Sequence, residues 1–147
     1  MKCSAIPGTY FVTTATQDRR RIFQVERNPH LFLETLAHYR ENYLLHAYVV
    51  MPDHIHLLLT PGGVTLERCM QLIKGGFSHR YASKLPVWQK GFTDHRIRDA
   101  GDLTQNIRYI HEKQIAANLA PTIATYRYSS AHPERLNLDE VKADLSG

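Results

Sequence analysis

Cysteine is scarce in this chain: Cys3 and Cys69 are the two among 147 residues, and no paired-cysteine motif is present. That excludes a disulfide framework and fits a reducing cytoplasm. No apolar run reaches the length of a membrane span, and no signal-peptide core is visible, so a soluble intracellular protein is expected, with no membrane partner. Internal repeats and low-complexity stretches are also missing. Charge of one sign is not in large excess. Eighteen Lys and Arg face 14 acidic residues, giving +4 and a pI near 9.2, which permits a polyanionic partner without demanding one. What remains is ordinary globular material, 43% hydrophobic, long enough for one domain with a core that needs no staples.

The most informative feature is His54-Ile55-His56, inside Met51-Pro52-Asp53-His54-Ile55-His56-Leu57-Leu58-Leu59. Successive strand side chains point to opposite faces, so residues two apart share one. Two imidazoles therefore lie side by side while Ile55 and the leucines anchor the strand. Paired imidazoles at this spacing can grip one metal ion.

The surrounding segments read as follows. Tyr10 to Thr16 is rich in aromatic and β-branched residues and predicts a first strand. Arg19-Arg20-Arg21 after it reads as a solvated loop or a phosphate contact. Asn28-Pro29 reads as a helix start, with Phe32, Leu36, Tyr39 and Tyr43 at helical spacing over roughly 29–43. Leu45–Met51 and His54–Thr60 predict an antiparallel hairpin turned at Pro52-Asp53. Thr65 can cap a second helix with Leu66, Met70, Ile73 and Phe77 buried. Gly75-Gly76 weakens that helix or permits a close approach. Lys74, His79, Arg80 and Lys84 on its other faces form either a solvated basic surface or one that tracks a DNA backbone. Pro86 stops the helix. Trp88 to Asp99 contains a fourth strand, where Arg96 and Arg98, two apart, are expected to share a face and can contact phosphate. Asp99 to Asp102 offers caps for a third helix over roughly 102–118. A polar tail follows, with a weak helical stretch near 137–145. The order βαββαβα predicts an α+β fold, an antiparallel sheet with helices packed on one face and the other face free for a ligand.

On the third helix Leu103, Ile107 and Ile110 make the core stripe. Tyr109 lies roughly 200° from Ile107 at 100° per residue, among Gln105, Asn106, Glu112 and Lys113. It is either a half-buried surface tyrosine or something chemical. A phenol near a metal can attack phosphorus, and a divalent ion held by His54 and His56 can neutralise the phosphate and assist the leaving oxygen. The products would be a phosphotyrosine and a free hydroxyl, so rejoining needs no ATP.

Four ordered blocks carry a resemblance. Met51–Leu59 resembles the "MPNHVHLLL" signature of single-tyrosine HUH transposases, and Trp88–Asp99 resembles their "WQKGFHDHVIRD" block. Ile107-Arg108-Tyr109-Ile110-His111-Glu112, with Ile115 to Leu119, resembles "LRYIHxNPVRAGL". Tyr126-Arg127-Tyr128-Ser129-Ser130 resembles the "YxYSS" element of the REP-associated tyrosine transposase branch. The resemblance spans a domain over 1–130 and leaves 131–147 as a C-terminal tail. It implies a ferredoxin-like (RRM-like) sheet, Tyr109 as nucleophile, His54 and His56 as ligands of Mg²⁺ or Mn²⁺, and single-stranded DNA beside a palindromic hairpin as substrate. It implies an endonuclease and strand-transferase acting in DNA transposition and recombination at the nucleoid. The linkage would be a 5′-phosphotyrosine, and the protein a monomer or a homodimer.

The family offers Asn or Gln four residues after the tyrosine as a further metal ligand. Here that residue is Lys113, whose ammonium has no lone pair to give. Gln114 faces roughly 100° away. Glu112 shares the Tyr109 face and is the candidate third ligand. Asp53 replaces the usual Asn, either as a turn residue or as a carboxylate orienting an imidazole. His111 points elsewhere and is read as packing or capping. The Lys113 departure keeps a second reading open, a hairpin-binding protein with weakened catalysis, and a third, a phosphoesterase that uses water. Lys74, Arg80, Arg96 and Arg98 are the candidate DNA contacts.

Overall fold

The computed structural model describes residues 8–141. Its elements run β1 Tyr10–Ala15, α1 Arg27–His38, β2 Tyr43–Met51, β3 His54–Pro61, α2 Leu66–Tyr81, β4 Thr93–Arg96 and α3 Ala100–Ala116. The expected βαββαβα order is thus present. The four strands form one antiparallel sheet in the order β2-β3-β1-β4, which is the ferredoxin-like arrangement.

Alternation along the two central strands sorts the core into two layers. Val12 of β1 and Ile55, Leu57 and Leu59 of β3 face one side, where Phe32, Leu36, Met70, Ile73 and Phe77 of α1 and α2 cover them. Leu58, with Ala47, Val49 and Met51 of β2, faces the other side and packs on Ile110, Ile107 and Leu103 of α3. The expectation of helices on one face therefore holds for α1 and α2, while α3 crosses the opposite face. The cause is β2, which is buried along both of its faces, so a second apolar layer must cover it.

Local chemistry sets the helix ends. The Thr65 hydroxyl accepts from the Arg68 N–H at 3.0 Å and starts α2, which ends on Ala82 at φ 57°. The Asp99 carboxylate accepts from the Asp102 N–H at 2.8 Å and starts α3. The first helix begins at Arg27, not at an Asn28 cap: Asn28 is buried inside the first turn and donates to the Ile22 carbonyl at 2.8 Å. It also ends early. A short 3₁₀ turn, Arg40–Asn42, intervenes, and Tyr43 opens β2 instead of closing the helix, donating its hydroxyl proton to the Leu36 carbonyl.

Past α3 the chain returns along the β2 edge. The Val50 N–H donates to the Tyr128 carbonyl at 2.9 Å, Ser130 N–H donates to the Tyr48 carbonyl at 2.9 Å, and the Tyr126 hydroxyl donates to the Val50 carbonyl at 2.7 Å. An otherwise open edge is thereby paired. Asp139 continues the contact, its carboxylate accepting from the Leu45 N–H at 2.9 Å and from Arg40 at 2.8 Å. That extended docking leaves no helix over 137–141, where one was expected; 142–147 lie outside the described residues, as does Cys3. A bulge between Leu45 and Ala47 turns His46 inward, between the Asp139 carbonyl and the Thr60 hydroxyl, each at 2.7 Å.

Candidate metal and nucleophile site

Thr16 fixes the floor of the site. Its hydroxyl and N–H both donate to the Asp53 carbonyl, tying the end of β1 to the β2–β3 turn. Between them, Asp18 and Arg19 adopt left-handed backbone (φ 56° and 54°), and Arg19 reaches back to the Asp53 carboxylate at 3.1 Å. Burial pushes the Asp53 carboxyl up, but the hydrogen bonds from His54 and Arg19 outweigh it and hold the group below its ordinary range. Asp53 is therefore more than a turn residue. Its other oxygen lies 2.7 Å from His54 Nδ1. A carboxylate can only accept, so Nδ1 carries the proton and Nε2 keeps its lone pair.

His56 is held from β1, by a hydroxyl instead of a carboxylate. Thr13 is its register partner, and the Thr13 hydroxyl sits 2.8 Å from His56 Nδ1. The Phe11 ring stacks on the imidazole at 5.3 Å between centroids, 19° from parallel. Burial pushes the His56 pKa down to about 3, helped by the charges of His54, Lys113 and Arg19. Burial also lowers His54, with the Asp53 carboxylate working against it. Both rings are thus neutral near pH 7, the state a metal ligand needs.

Tyr109 completes the cluster. The imidazoles lie 4.9 Å apart, and the Tyr109 ring meets His56 edge-on at 5.5 Å and Phe11 at 5.8 Å. Tyr109 is 47% exposed while Ile110 beside it is fully buried, so one step along α3 separates the packed side from the open side.

A divalent cation fits the donor set in part. His56 Nε2 is buried with no hydrogen-bond partner among the described residues, a state that normally costs stability. In the tautomer whose Nδ1–H donates to the Thr13 hydroxyl, His56 Nε2 carries a lone pair, and a cation on it and on His54 Nε2 would satisfy it. No third acidic, His or Cys side chain joins them among the described residues. Glu112 is exposed and is not gathered to the pair, contrary to expectation. The geometry of α3 explains this. Residue i+3 lies 60° to one side of Tyr109 and residue i+4 lies 40° to the other. The i+4 residue, Lys113, is on the imidazole side, with its ammonium 5.2 Å from the Tyr109 ring centroid. Gln114 is turned into the core, where its amide donates to the His111 and Ile123 carbonyls.

A family model described as "Transposase IS200 like" matches residues 7–113, the whole sheet and most of α3. The chain belongs to the IS200-like transposase family. The matched span contains His54, His56 and Tyr109 and closes on Lys113. Two relatives are similar along most of their length. A REP-associated tyrosine transposase of Escherichia coli K12 is 25% identical, over 85% of this chain and 77% of its own. A Haemophilus influenzae protein assigned provisionally to the same group is 27% identical, over 94% of this chain and 84% of its own. A solved REP-associated tyrosine transposase, bound to a REP hairpin, shares the fold with TM-score 0.69 at 22% identity, covering 95% of this chain and 91% of that one. No helix among the described residues is long and apolar enough to cross a membrane.

The candidate DNA contacts are dispersed in this transposase fold. Lys74 and Arg80 lie on α2, across the sheet from the imidazoles. Lys74 donates to the Gln89 and Gly91 carbonyls at 3.1 and 2.6 Å. Arg80 donates to the Gly76 carbonyl at 3.0 Å and covers the Tyr39 ring. Arg96 and Arg98 do not share a strand face, because β4 ends at Arg96; Arg98 lies in the turn before α3, 3.6 Å from Asp102. Asp102 also receives His95 at 2.8 Å. His111 is a packing residue, 2.8 Å from the Ser130 hydroxyl. Thr13, Phe11 and Arg19 are the participants that sequence reasoning missed. Strand-to-strand register was the signal for Thr13 and Phe11.

Proposed function

We propose that this protein cuts and rejoins single-stranded DNA beside a hairpin, with Tyr109 as nucleophile and a Mg²⁺ or Mn²⁺ ion on His54 and His56. One observation carries the reading: the exposed Tyr109 ring stands 5.5 Å from an imidazole whose buried Nε2 has no partner among the described residues. In the reaction the Tyr109 phenol oxygen bonds to phosphorus and its proton leaves to solvent. The bond from phosphorus to the 3′ oxygen breaks, and that oxygen takes up a proton. A 5′-phosphotyrosine and a 3′-hydroxyl result, and reversal reseals the strand. The cation would supply charge neutralisation at the phosphate. Asp53 and Thr13 hold the imidazoles in orientation, and Phe11 walls off one side of His56. Single-strand and hairpin specificity is supported by the family and by the hairpin bound to the fold neighbour.

The test is a denaturing gel of protein with Mn²⁺ and labelled single-stranded hairpin DNA from the sequence flanking the coding region. A covalent adduct is expected and should vanish in Tyr109→Phe. A second reading, hairpin binding with weakened catalysis, is favoured by Lys113 standing where a third ligand is needed. It predicts DNA binding with no adduct. Cleavage that survives Tyr109→Phe would instead point to water as the nucleophile.

A further inference from the structure

Lys113 is the feature that the proposed chemistry leaves unexplained. Its ammonium lies over the Tyr109 ring, 5.2 Å from the centroid, and that ring abuts His56. The side chain is only half-exposed, and no hydrogen bond or ion pair holds it among the described residues. A second fixed cation, Arg19, sits behind His54 and is already spent on Asp53. Glu112, the nearest acidic residue in sequence, is not gathered to the cluster and does not neutralise it.

We propose that the Lys113 ammonium is itself the phosphate-contacting cation of this site and competes with a divalent ion for the space beside His54, His56 and Tyr109. An ammonium cannot ligate a metal, and like charges a few ångströms apart repel strongly outside bulk water. It can donate to a non-bridging phosphate oxygen while the phenol faces the phosphorus. Lys113 therefore anchors the scissile phosphodiester before any metal is present, and it lowers metal affinity in the free protein. This inference rests on the imidazole-pair reading above.

Mn²⁺ binding, followed by calorimetry or by the resonance of free Mn²⁺, tests it in the full chain without DNA. Lys113→Met, which removes the charge without offering the oxygen ligand that Gln would, should bind Mn²⁺ roughly tenfold more tightly than wild type, or better, because one positive charge has gone. Lys113→Arg should match wild type, because the charge is kept. With metal chelated, a single-stranded oligodeoxythymidylate should bind Lys113→Met more weakly, with a shallower salt dependence, while Lys113→Arg retains both. His54→Ala in the Lys113→Met background separates the two ideas. If His54→Ala abolishes Mn²⁺ binding while Lys113→Met leaves it unchanged from wild type, the role of Lys113 is overturned and the metal site stands. If Mn²⁺ binding ignores His54→Ala, the imidazole-pair reading falls, and this inference with it. Equal behaviour of the Met and Arg variants would also overturn it, since charge would then not be the agent.

Discussion

Thr13→Val separates the support of His56 from the imidazole itself. The change is nearly isosteric and keeps a β-branched residue on β1, so strand preference is retained. What is lost is the hydroxyl 2.8 Å from His56 Nδ1. The ring is 4% exposed and its Nε2 already has no partner among the described residues, so the variant leaves both ring nitrogens buried and unpaired there. One newly unsatisfied polar group costs about 1–3 kcal/mol. For a chain of this size that lowers Tm by roughly 2–4 °C for each kcal/mol. The ring also loses the contact that orients it, and losses of this kind weaken metal binding by roughly 10–100-fold. Urea melts in EDTA give the first quantity and Mn²⁺ calorimetry gives the second. Thr13→Ser, which keeps the hydroxyl, should restore metal affinity to near wild type. A Thr13→Val protein with wild-type stability and wild-type Mn²⁺ affinity would refute the assignment of this contact.

Two further predictions concern the scaffold. A Cβ on Gly76 would lie 2.5 Å from the Tyr39 ring, whereas one on Gly75 meets nothing within 4 Å. Gly75→Ala should therefore raise stability by about 0.5–1 kcal/mol through helix propensity, and Gly76→Ala should lower it, both read from denaturant midpoints. His46 supplies a pH dependence. Burial lowers its pKa, with the Asp139 carbonyl and carboxylate only partly offsetting this, so the folded protein prefers the neutral ring. Between its folded value and the ordinary 6.5 the unfolded chain binds the extra proton. Stability is thus full above pH 6.5 and declines as pH falls, with His46 contributing at most about 1.4 kcal/mol per unit. The other residues around the ring are the Thr60 hydroxyl and Arg40, whose charge works in the same direction as burial. His46→Gln should flatten the fall between pH 6.5 and 5 in urea melts, and an unchanged slope would count against the assignment.

The candidate site residues were legible in the sequence because their types and spacing are themselves chemistry. His54 and His56 share a face by strand alternation, and Tyr109 is excluded from the α3 stripe by helical angle; the structure keeps both results. Their supports were not legible. Thr13 is an ordinary strand threonine until β1 is set against β3, and that register depends on contacts 43 positions apart. The face taken by α3 was hidden for a related reason. Periodicity tells which side of a helix is apolar, but not which side of a sheet it will cover. Here the answer lay in β2, whose run Tyr48-Val49-Val50-Met51 is apolar at every position and must be covered twice. Glu112 and Lys113 flank Tyr109 on opposite sides, 100° apart around the helix, so which of them meets the imidazoles depends on how α3 lies over the sheet. The identity of the residue beside the imidazoles was therefore decided by how α3 crosses the sheet. That crossing is set by Ile110, Ile107 and Leu103 against Leu58 and Val49. Apolar packing on the far side of α3 thus fixes which charge the site receives. A substitution that rotates α3, such as enlarging Ala47 beneath it, would change the chemistry of the site without touching any residue in it.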